Sequence, residues 1–129
     1  MPNRPLTKVC YVEDDEDIQR IVRLSLERVG KMTVQIVGDP NTAIETMKTF
    51  VPDLVLLDWM MPGMDGPTLF RAMKQRPETS ALPVVFITAK ASQGELDELS
   101  RLGAAGAISK PFNPKELPDQ LRAIWEKLP

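Results

Sequence analysis

The chain has 129 residues, of which 43% are hydrophobic and 26% charged, and this composition is typical of one globular domain with its own core. Its formal net charge is −2, so we expect no general electrostatic attraction to nucleic acid or to an anionic membrane. The sequence contains no histidine, which excludes His-based acid–base catalysis, Ser-His and Cys-His nucleophiles and His-ligated zinc. Any bound metal must have oxygen ligands, and this favours a hard cation such as Mg²⁺.

The sequence has neither a run of apolar residues long enough to span a membrane nor an apolar core of a signal peptide near its start. Its one cysteine, Cys10, lies in an apolar segment. An intramolecular disulfide is therefore impossible, and we expect a buried, inert thiol. A location in the reducing cytoplasm fits these features.

The first part of the chain predicts two strands, each followed by a helix. Residues 8–12 form a short apolar strand, and the acidic run 13–17 leads into a helix that we expect to end at Gly30. Residues 33–37 alternate between polar and apolar side chains and are rich in β-branched residues, which predicts a second strand. Asp39 is expected to cap the helix that follows. The predicted inner positions of these helices are Ile18, Ile21, Val22, Leu26, Val29, Ala43, Ile44 and Met47.

The middle of the chain predicts two strands that are buried on both faces. Residues 52–58 form an apolar run that ends in a carboxylate, Asp58, and residues 82–88 form a second such run. Gly66 opens a helix between them, with Asp65 as the expected cap. The predicted inner positions of this helix are Leu69, Ala72 and Met73, and Trp59 is expected to be partly exposed.

The last part of the chain predicts a helix, a short strand and a final helix. Ser92 opens a capping box before the fourth helix, and Gly103 is expected to stop it. Residues 107–109 form the fifth strand, and the fifth helix begins near Asn113. Pro118 falls in its first turns, which predicts an irregular or late start. The predicted inner positions are Leu96, Leu99, Leu102, Leu121, Ile124, Trp125 and Leu128.

Five strands alternate with five helices, which argues for an α/β fold with a parallel sheet and helices on both faces. Polar residues follow the strands at their carboxyl ends: acids at 13–15, then Asp58, Thr88 and Lys110. Because parallel strands end at the same edge of the sheet, we expect these side chains to converge. Each of these features alone also has a purely structural interpretation: the acids as a helix start, Asp58 as a turn residue, Thr88 as a strand residue and Lys110 as a surface lysine.

Several carboxylates packed together repel one another, and one lysine cannot balance them. A divalent cation would balance their charge, and an all-oxygen site that keeps bound water suits Mg²⁺. An aspartate beside a cation, a lysine and a hydroxyl can attack phosphorus and become an aspartyl phosphate. The sequence thus predicts a site that accepts a phosphoryl group.

The residues of this edge resemble those of a known family. The stretches 12–15, 53–66, 84–89 and 109–112 are similar, in this order, to the motifs of the receiver domain of two-component response regulators. The resemblance covers nearly the whole chain and implies one receiver domain over residues 1–129. It also implies a flavodoxin-like, doubly wound sheet with strand order 2-1-3-4-5 and five helices on both faces.

The resemblance implies roles for the individual residues. Asp58 would be the phosphoacceptor. Asp14 and Asp58 would bind Mg²⁺ directly, Glu13 would bind it through water, and the backbone carbonyl of Met60 would complete the ligand set. Thr88 would be the switch hydroxyl and Lys110 the phosphate-pairing lysine, with a cis bond before Pro111. Lys90 is expected to be a charge at the rim of the site.

The resemblance also implies partners. A sensor histidine kinase or a histidine phosphotransfer protein would supply the phosphoryl group, since this chain has no histidine. No residues follow Pro129, so output is expected to pass through a downstream protein, with no contact to nucleic acid or membrane. Only slow self-dephosphorylation is expected, not enzymatic turnover.

Two alternatives stay open at this point. Family members usually carry an aromatic residue at the position of Ala107, so the chain could be a degenerate receiver that binds proteins without phosphorylation. An aspartate-nucleophile phosphatase of the haloacid dehalogenase type would need a second acid two residues after Asp58. That position is Met60, whose side chain cannot transfer protons.

Overall fold

A computed structural model, which describes residues 2–89 and 92–129, contains one five-stranded parallel sheet in the order β2-β1-β3-β4-β5. The strands are β1 Lys8–Val12, β2 Thr33–Val37, β3 Leu54–Asp58, β4 Val84–Thr88 and β5 Gly106–Ser109. The helices are α1 Glu16–Leu24, α2 Ala43–Phe50, α3 Gly66–Lys74, α4 Gln93–Arg101 and α5 Leu117–Glu126. The predicted flavodoxin-like fold and its strand order are confirmed.

The sheet has a separate apolar core on each face, because successive strand residues point to opposite sides. Tyr11 and Leu56 pack with α1 and α5, whereas Val12 and Leu57 pack with α2, α3 and α4. β3 and β4 are buried along their whole length, as their apolar sequences predict. Cys10 is fully buried, and this burial raises the pKa of its thiol to about 12, in line with the expected inert thiol.

Side-chain caps begin the helices where the sequence predicts them. Asp39 accepts a hydrogen bond from the Asn41 amide at the start of a 3₁₀ turn over Pro40–Thr42, which leads into α2. Asp65 accepts one from the Thr68 amide at the start of α3. Ser92 and Glu95 form the predicted capping box before α4.

The end of the first helix and the start of the last agree with the sequence. α1 continues as a π-helical turn over Ser25–Val29 with Gly30 as its C-cap, and the left-handed residue that follows is Lys31, with φ of 57°. A larger residue would not fit at Gly30 without a shift, because a Cβ there would lie 2.9 Å from Cβ of Pro118. α5 begins at Leu117, later than Asn113, which is the late start that Pro118 predicts; Pro118 falls in the first turn, where its missing N–H is not needed.

Four predictions of side-chain exposure are wrong. Ile21, Val29 and Leu102 were expected inside but are 45%, 53% and 46% exposed, respectively. Trp59 was expected to be partly exposed but is buried. Helical spacing identifies a stripe of positions, but the width of the covered stripe depends on the neighbouring elements. Lys90 lies outside the described residues. None of the helices in the described ranges is long and apolar enough to cross a membrane.

Candidate functional site: an acidic edge with one lysine

The carboxyl ends of β1 and β3 bring three carboxylates together. Glu13 and Asp14 directly follow β1, and Asp58 is the last residue of β3. Val12 pairs with Leu57 in the parallel ladder, so the next residues along the two strands lie side by side. One carboxylate oxygen from each of the three residues lies within 4.8 Å of the other two, and together they could hold a metal ion.

A lysine at the end of the edge strand β5 reaches the same carboxylates. Lys110 directly follows β5, and its Nζ lies 2.7 Å from Oδ1 of Asp58 and 3.9 Å from Oε1 of Glu13. The bond between Lys110 and Pro111 is cis, as the resemblance implies. One ammonium group therefore faces two buried carboxylates, with the exposed Asp14 beside them.

Glu13 is the most confined of these acids. Burial raises the pKa of its carboxyl to about 7, and the nearby negative charge of Asp58 acts in the same direction. Hydrogen bonds from the Asp15 amide, at 3.1 Å, and from the Tyr11 hydroxyl, at 3.0 Å, oppose this shift. A carboxyl with a pKa near neutrality responds strongly to an added positive charge.

The donor set fits a magnesium ion. The three closely spaced donors are all carboxylates, which are the oxygen ligands that a hard cation prefers. Asp14 is exposed, so the cluster is open to solvent on one side, and Mg²⁺ usually keeps several bound waters. Burial is the main cause of the raised pKa of Glu13, and the negative charge of Asp58 adds to it; a bound cation would offset the second contribution.

The remaining predicted site residues lie at the same edge. Thr88 is the last residue of β4 and is buried, and its carbonyl accepts a hydrogen bond from the Lys110 amide at 2.8 Å. Met60 lies two residues after Asp58 and is 75% exposed. Ala107 lies on β5, exposed, beside a groove between β5 and α4. The functional roles of these residues, like those of the acids, stay predictions.

The segment after Asp58 is held by close packing. The ring of Trp59 meets Phe86 edge-to-face, with the ring centroids 5.2 Å apart. The Gly66 amide donates to the Trp59 carbonyl at 2.8 Å. A Cβ at Gly66 would lie only 2.5 Å from the Asp58 carbonyl oxygen, so no larger residue fits without moving the backbone of Asp58.

Sequence reasoning missed two residues of this region. Tyr11 reads as one more apolar residue of β1, yet its hydroxyl contacts Glu13. The signal was available, because residues 11 and 13 of a strand point to the same face. Gly66 was interpreted only as a helix start, and its close approach to Asp58 depends on tertiary packing that no local pattern reports.

Comparisons with known proteins agree with this geometry. The family model for the response regulator receiver domain matches residues 9–122. The chain is 36% identical over 121 residues to chemotaxis protein CheY-3 of Vibrio cholerae, which covers 94% of this chain and 93% of that protein. It is 35% identical over 122 residues to the phosphate regulon transcriptional regulatory protein PhoB of Rhizobium meliloti, covering 95% of this chain. The match spans only 53% of PhoB, so the chain corresponds to about half the length of that relative.

Solved structures give the same result. Chemotaxis protein CheY4 of Vibrio cholerae superimposes with a TM-score of 0.83 at 27% identity, covering 92% of this chain and 98% of that one. A putative response regulator from Chloroflexus aurantiacus gives 0.81 at 27% identity, covering 96% and 100%. The fold, the acidic edge and the matched residues 9–122 lead to one conclusion: the chain belongs to the response regulator receiver domain family of two-component signalling systems.

Proposed function

We propose that residues 1–129 act as one receiver module whose Asp58 accepts a phosphoryl group from a phosphohistidine on a partner protein. The observation that carries this proposal is the position of Lys110 Nζ, 2.7 Å from Oδ1 of Asp58, beside a three-carboxylate cluster. Asp58 is thus held at the end of a strand, next to the ammonium group of Lys110 and among carboxylates that suit a metal cation.

In the proposed reaction, a carboxylate oxygen of Asp58 attacks phosphorus. The bond between phosphorus and the partner's ring nitrogen breaks, and its electron pair goes to that nitrogen. Lys110 would pair with the transferred group, and the Thr88 hydroxyl would donate a hydrogen bond to it. These groups act mainly by position and charge, which is how phosphoryl transfer is generally catalysed.

We further propose that Mg²⁺ is the cofactor. Asp14 and Asp58 would bind it directly, Glu13 through water, and the Met60 carbonyl would complete the protein ligands. When bound, the ion would offset the negative charge that develops on the phosphoryl oxygens. The close spacing of the three carboxylates supports this assignment.

The phosphodonor would be a sensor histidine kinase or a histidine phosphotransfer protein. Receiver domains work with such partners and with downstream targets. A phosphohistidine must approach Asp58 closely, so the donor must cover the surface around Lys110. An apolar groove there is lined by Ile18, Ile21, Pro111 and Phe112 and includes Lys110 itself. We propose that the donor contacts this groove. We also propose that the protein acts in the cytoplasm, that its output passes to a further protein and that it does not contact nucleic acid directly.

Receiver domains are signalling regulators and not enzymes in the ordinary sense, and we propose only slow self-dephosphorylation here. The second candidate is a receiver that binds its target without phosphorylation. Ala107 favours it, because this position on β5 has no aromatic ring that could move inward when Thr88 moves.

One experiment separates these candidates. Purified protein is incubated with Mg²⁺ and a small phosphodonor such as acetyl phosphate, and its mass is measured. We expect one added phosphoryl group on the wild type and none on Asp58→Asn. Asp53→Asn, which changes a buried acid at the opposite end of β3, should still be modified. An unmodified wild type would exclude the phosphoacceptor function and leave the second candidate.

A further inference from the structure

Tyr11 lies directly beneath the acidic edge. Its side chain is fully buried on the α1 and α5 face of the sheet, between Ile36 of β2 and Leu56 of β3 in the strand register. Its hydroxyl reaches past the end of β1 and donates to Oε1 of Glu13 at 3.0 Å. Tyr11 is the only tyrosine of the chain.

Glu13 is held at both ends of its carboxylate. Tyr11 binds Oε1, and the Asp15 amide binds Oε2 at 3.1 Å. The backbone carbonyl of Glu13 accepts from the Gln19 side chain, and its amide donates to Val37 at 3.0 Å. A glutamate side chain normally loses considerable rotamer freedom when it is fixed, and these contacts fix it before any ligand arrives.

We propose that Tyr11 is a positioning residue for the metal site: its buried hydroxyl orients the Glu13 carboxylate toward a metal-bound water. This inference rests on the proposed function and extends it to a residue that would not contact the ion. Without the hydroxyl, Oε1 would face the ammonium group of Lys110, at 3.9 Å, which is beyond hydrogen-bond distance. Glu13 would then turn toward Lys110 or away from the ion.

Calorimetric titration of the purified chain with Mg²⁺ tests this role. Loss of a hydrogen bond that supports a metal site from outside its direct ligands typically weakens metal binding by about 10-fold or more, so we expect Tyr11→Phe to raise the Mg²⁺ dissociation constant by about 10-fold. Thr79→Val is the matched control. Thr79 is also buried, and its hydroxyl donates to the Met73 carbonyl at 2.8 Å, far from the site. This variant should bind Mg²⁺ like the wild type.

A double-mutant comparison shows whether Tyr11 acts through Glu13. In a Glu13→Gln background, adding Tyr11→Phe should change the dissociation constant by less than 2-fold. A Tyr11→Phe protein that binds Mg²⁺ as tightly as the wild type would overturn the inference, and so would an equal 10-fold loss in the Gln background. A wild type that binds no Mg²⁺ would instead overturn the proposed cofactor.

A second measurement does not depend on the folding of Tyr11→Phe. Protein labelled with 3-fluorotyrosine gives one ¹⁹F resonance, because the chain has a single tyrosine. We expect this resonance to move on saturation with Mg²⁺, and to move less than half as far in Glu13→Gln. Equal movement in both proteins would show that the effect does not pass through Glu13.

Discussion

Lys110 and Asp58 lie 52 positions apart in the chain, yet Nζ of the lysine donates to Oδ1 of the aspartate at 2.7 Å. The contact joins the end of β5 to the end of β3 across the intervening strand β4. The lysine thus lies beside Asp58, where the phosphoryl group of the proposed reaction would arrive. It also balances part of the charge of Glu13, which lies 3.9 Å away.

Removal of this lysine should destabilise the protein. Lys110→Met leaves Asp58 and Glu13 buried without a counter-charge, and we expect the free energy of unfolding to fall by about 2 kcal/mol at pH 8 without Mg²⁺. Urea denaturation measures this change. Lys48→Met is the control, because Lys48 pairs with Glu45 and Glu78 at the surface, where such pairs contribute roughly 0–1 kcal/mol. Equal losses in the two variants would contradict the electrostatic role of Lys110.

The raised pKa of Glu13 predicts how stability depends on pH. Its carboxyl titrates near 7 in the folded protein, against an ordinary value of 4.5. The folded state therefore binds this proton more tightly, and the stabilisation present below about pH 4.5 is lost as the pH rises through 7. Between pH 5 and pH 8 without Mg²⁺, we expect the wild type to lose roughly 2 kcal/mol relative to Glu13→Gln.

The same titration should appear in the effect of Mg²⁺. A carboxylate must lose its proton before it can help to hold a cation, so saturating Mg²⁺ should stabilise the wild type more at pH 8 than at pH 5. Chemical denaturation with and without the ion at the two pH values measures this difference. A wild-type protein whose stability relative to Glu13→Gln stays constant over this range would show that Glu13 has an ordinary pKa.

Gly66 should be intolerant of even one methyl group. Its Cβ would lie 2.5 Å from the Asp58 carbonyl oxygen and 3.2 Å from Cα of Trp59. We expect Gly66→Ala to cost about 1–3 kcal/mol of stability and to slow phosphorylation by acetyl phosphate. Gly94→Ala is the matched control, since the nearest atom to its Cβ is 3.9 Å away, and it should be neutral or slightly stabilising. A Gly66→Ala protein with unchanged stability and phosphorylation rate would contradict this packing.

Ile21 should matter for the protein donor but not for a small one. It lines the apolar groove that includes Lys110 and is 45% exposed. We expect Ile21→Arg to slow transfer by at least about 10-fold from a histidine phosphotransfer protein that phosphorylates the wild type, equivalent to about 1.4 kcal/mol. Phosphorylation by acetyl phosphate should be unchanged.

Val29→Arg provides the control for this surface. Val29 is also exposed, at 53%, but it does not line the groove. The Val29→Arg protein should accept phosphoryl groups from both donors at the wild-type rate. If both arginine variants slowed transfer equally, or if Ile21→Arg had no effect, the donor would contact a different face.

The strands and their order follow from local patterns together with one family resemblance. Each strand is short, apolar and followed by breaking residues, and parallel topology then brings residues 13, 14, 58 and 110 to one edge. The exposure of Leu102 could not be predicted, because Leu102 follows the last residue of α4, and helical spacing does not report whether a neighbouring element covers that end of the helix. The burial of Trp59 depends on Phe86, which lies 27 positions away in the chain and packs against it only in the folded protein. The contact between Tyr11 and Glu13 does have a local signal, because residues two apart along an extended chain point to the same face.

A crystal structure of the chain with Mg²⁺ and a phosphate mimic such as beryllofluoride tests the central claim most directly. We predict the ion among Glu13, Asp14 and Asp58, the mimic on a carboxylate oxygen of Asp58, and both Lys110 and Thr88 in contact with the mimic. Crystals grown with both ligands that contain no ion at these carboxylates, or in which Lys110 points away from Asp58, would contradict the account.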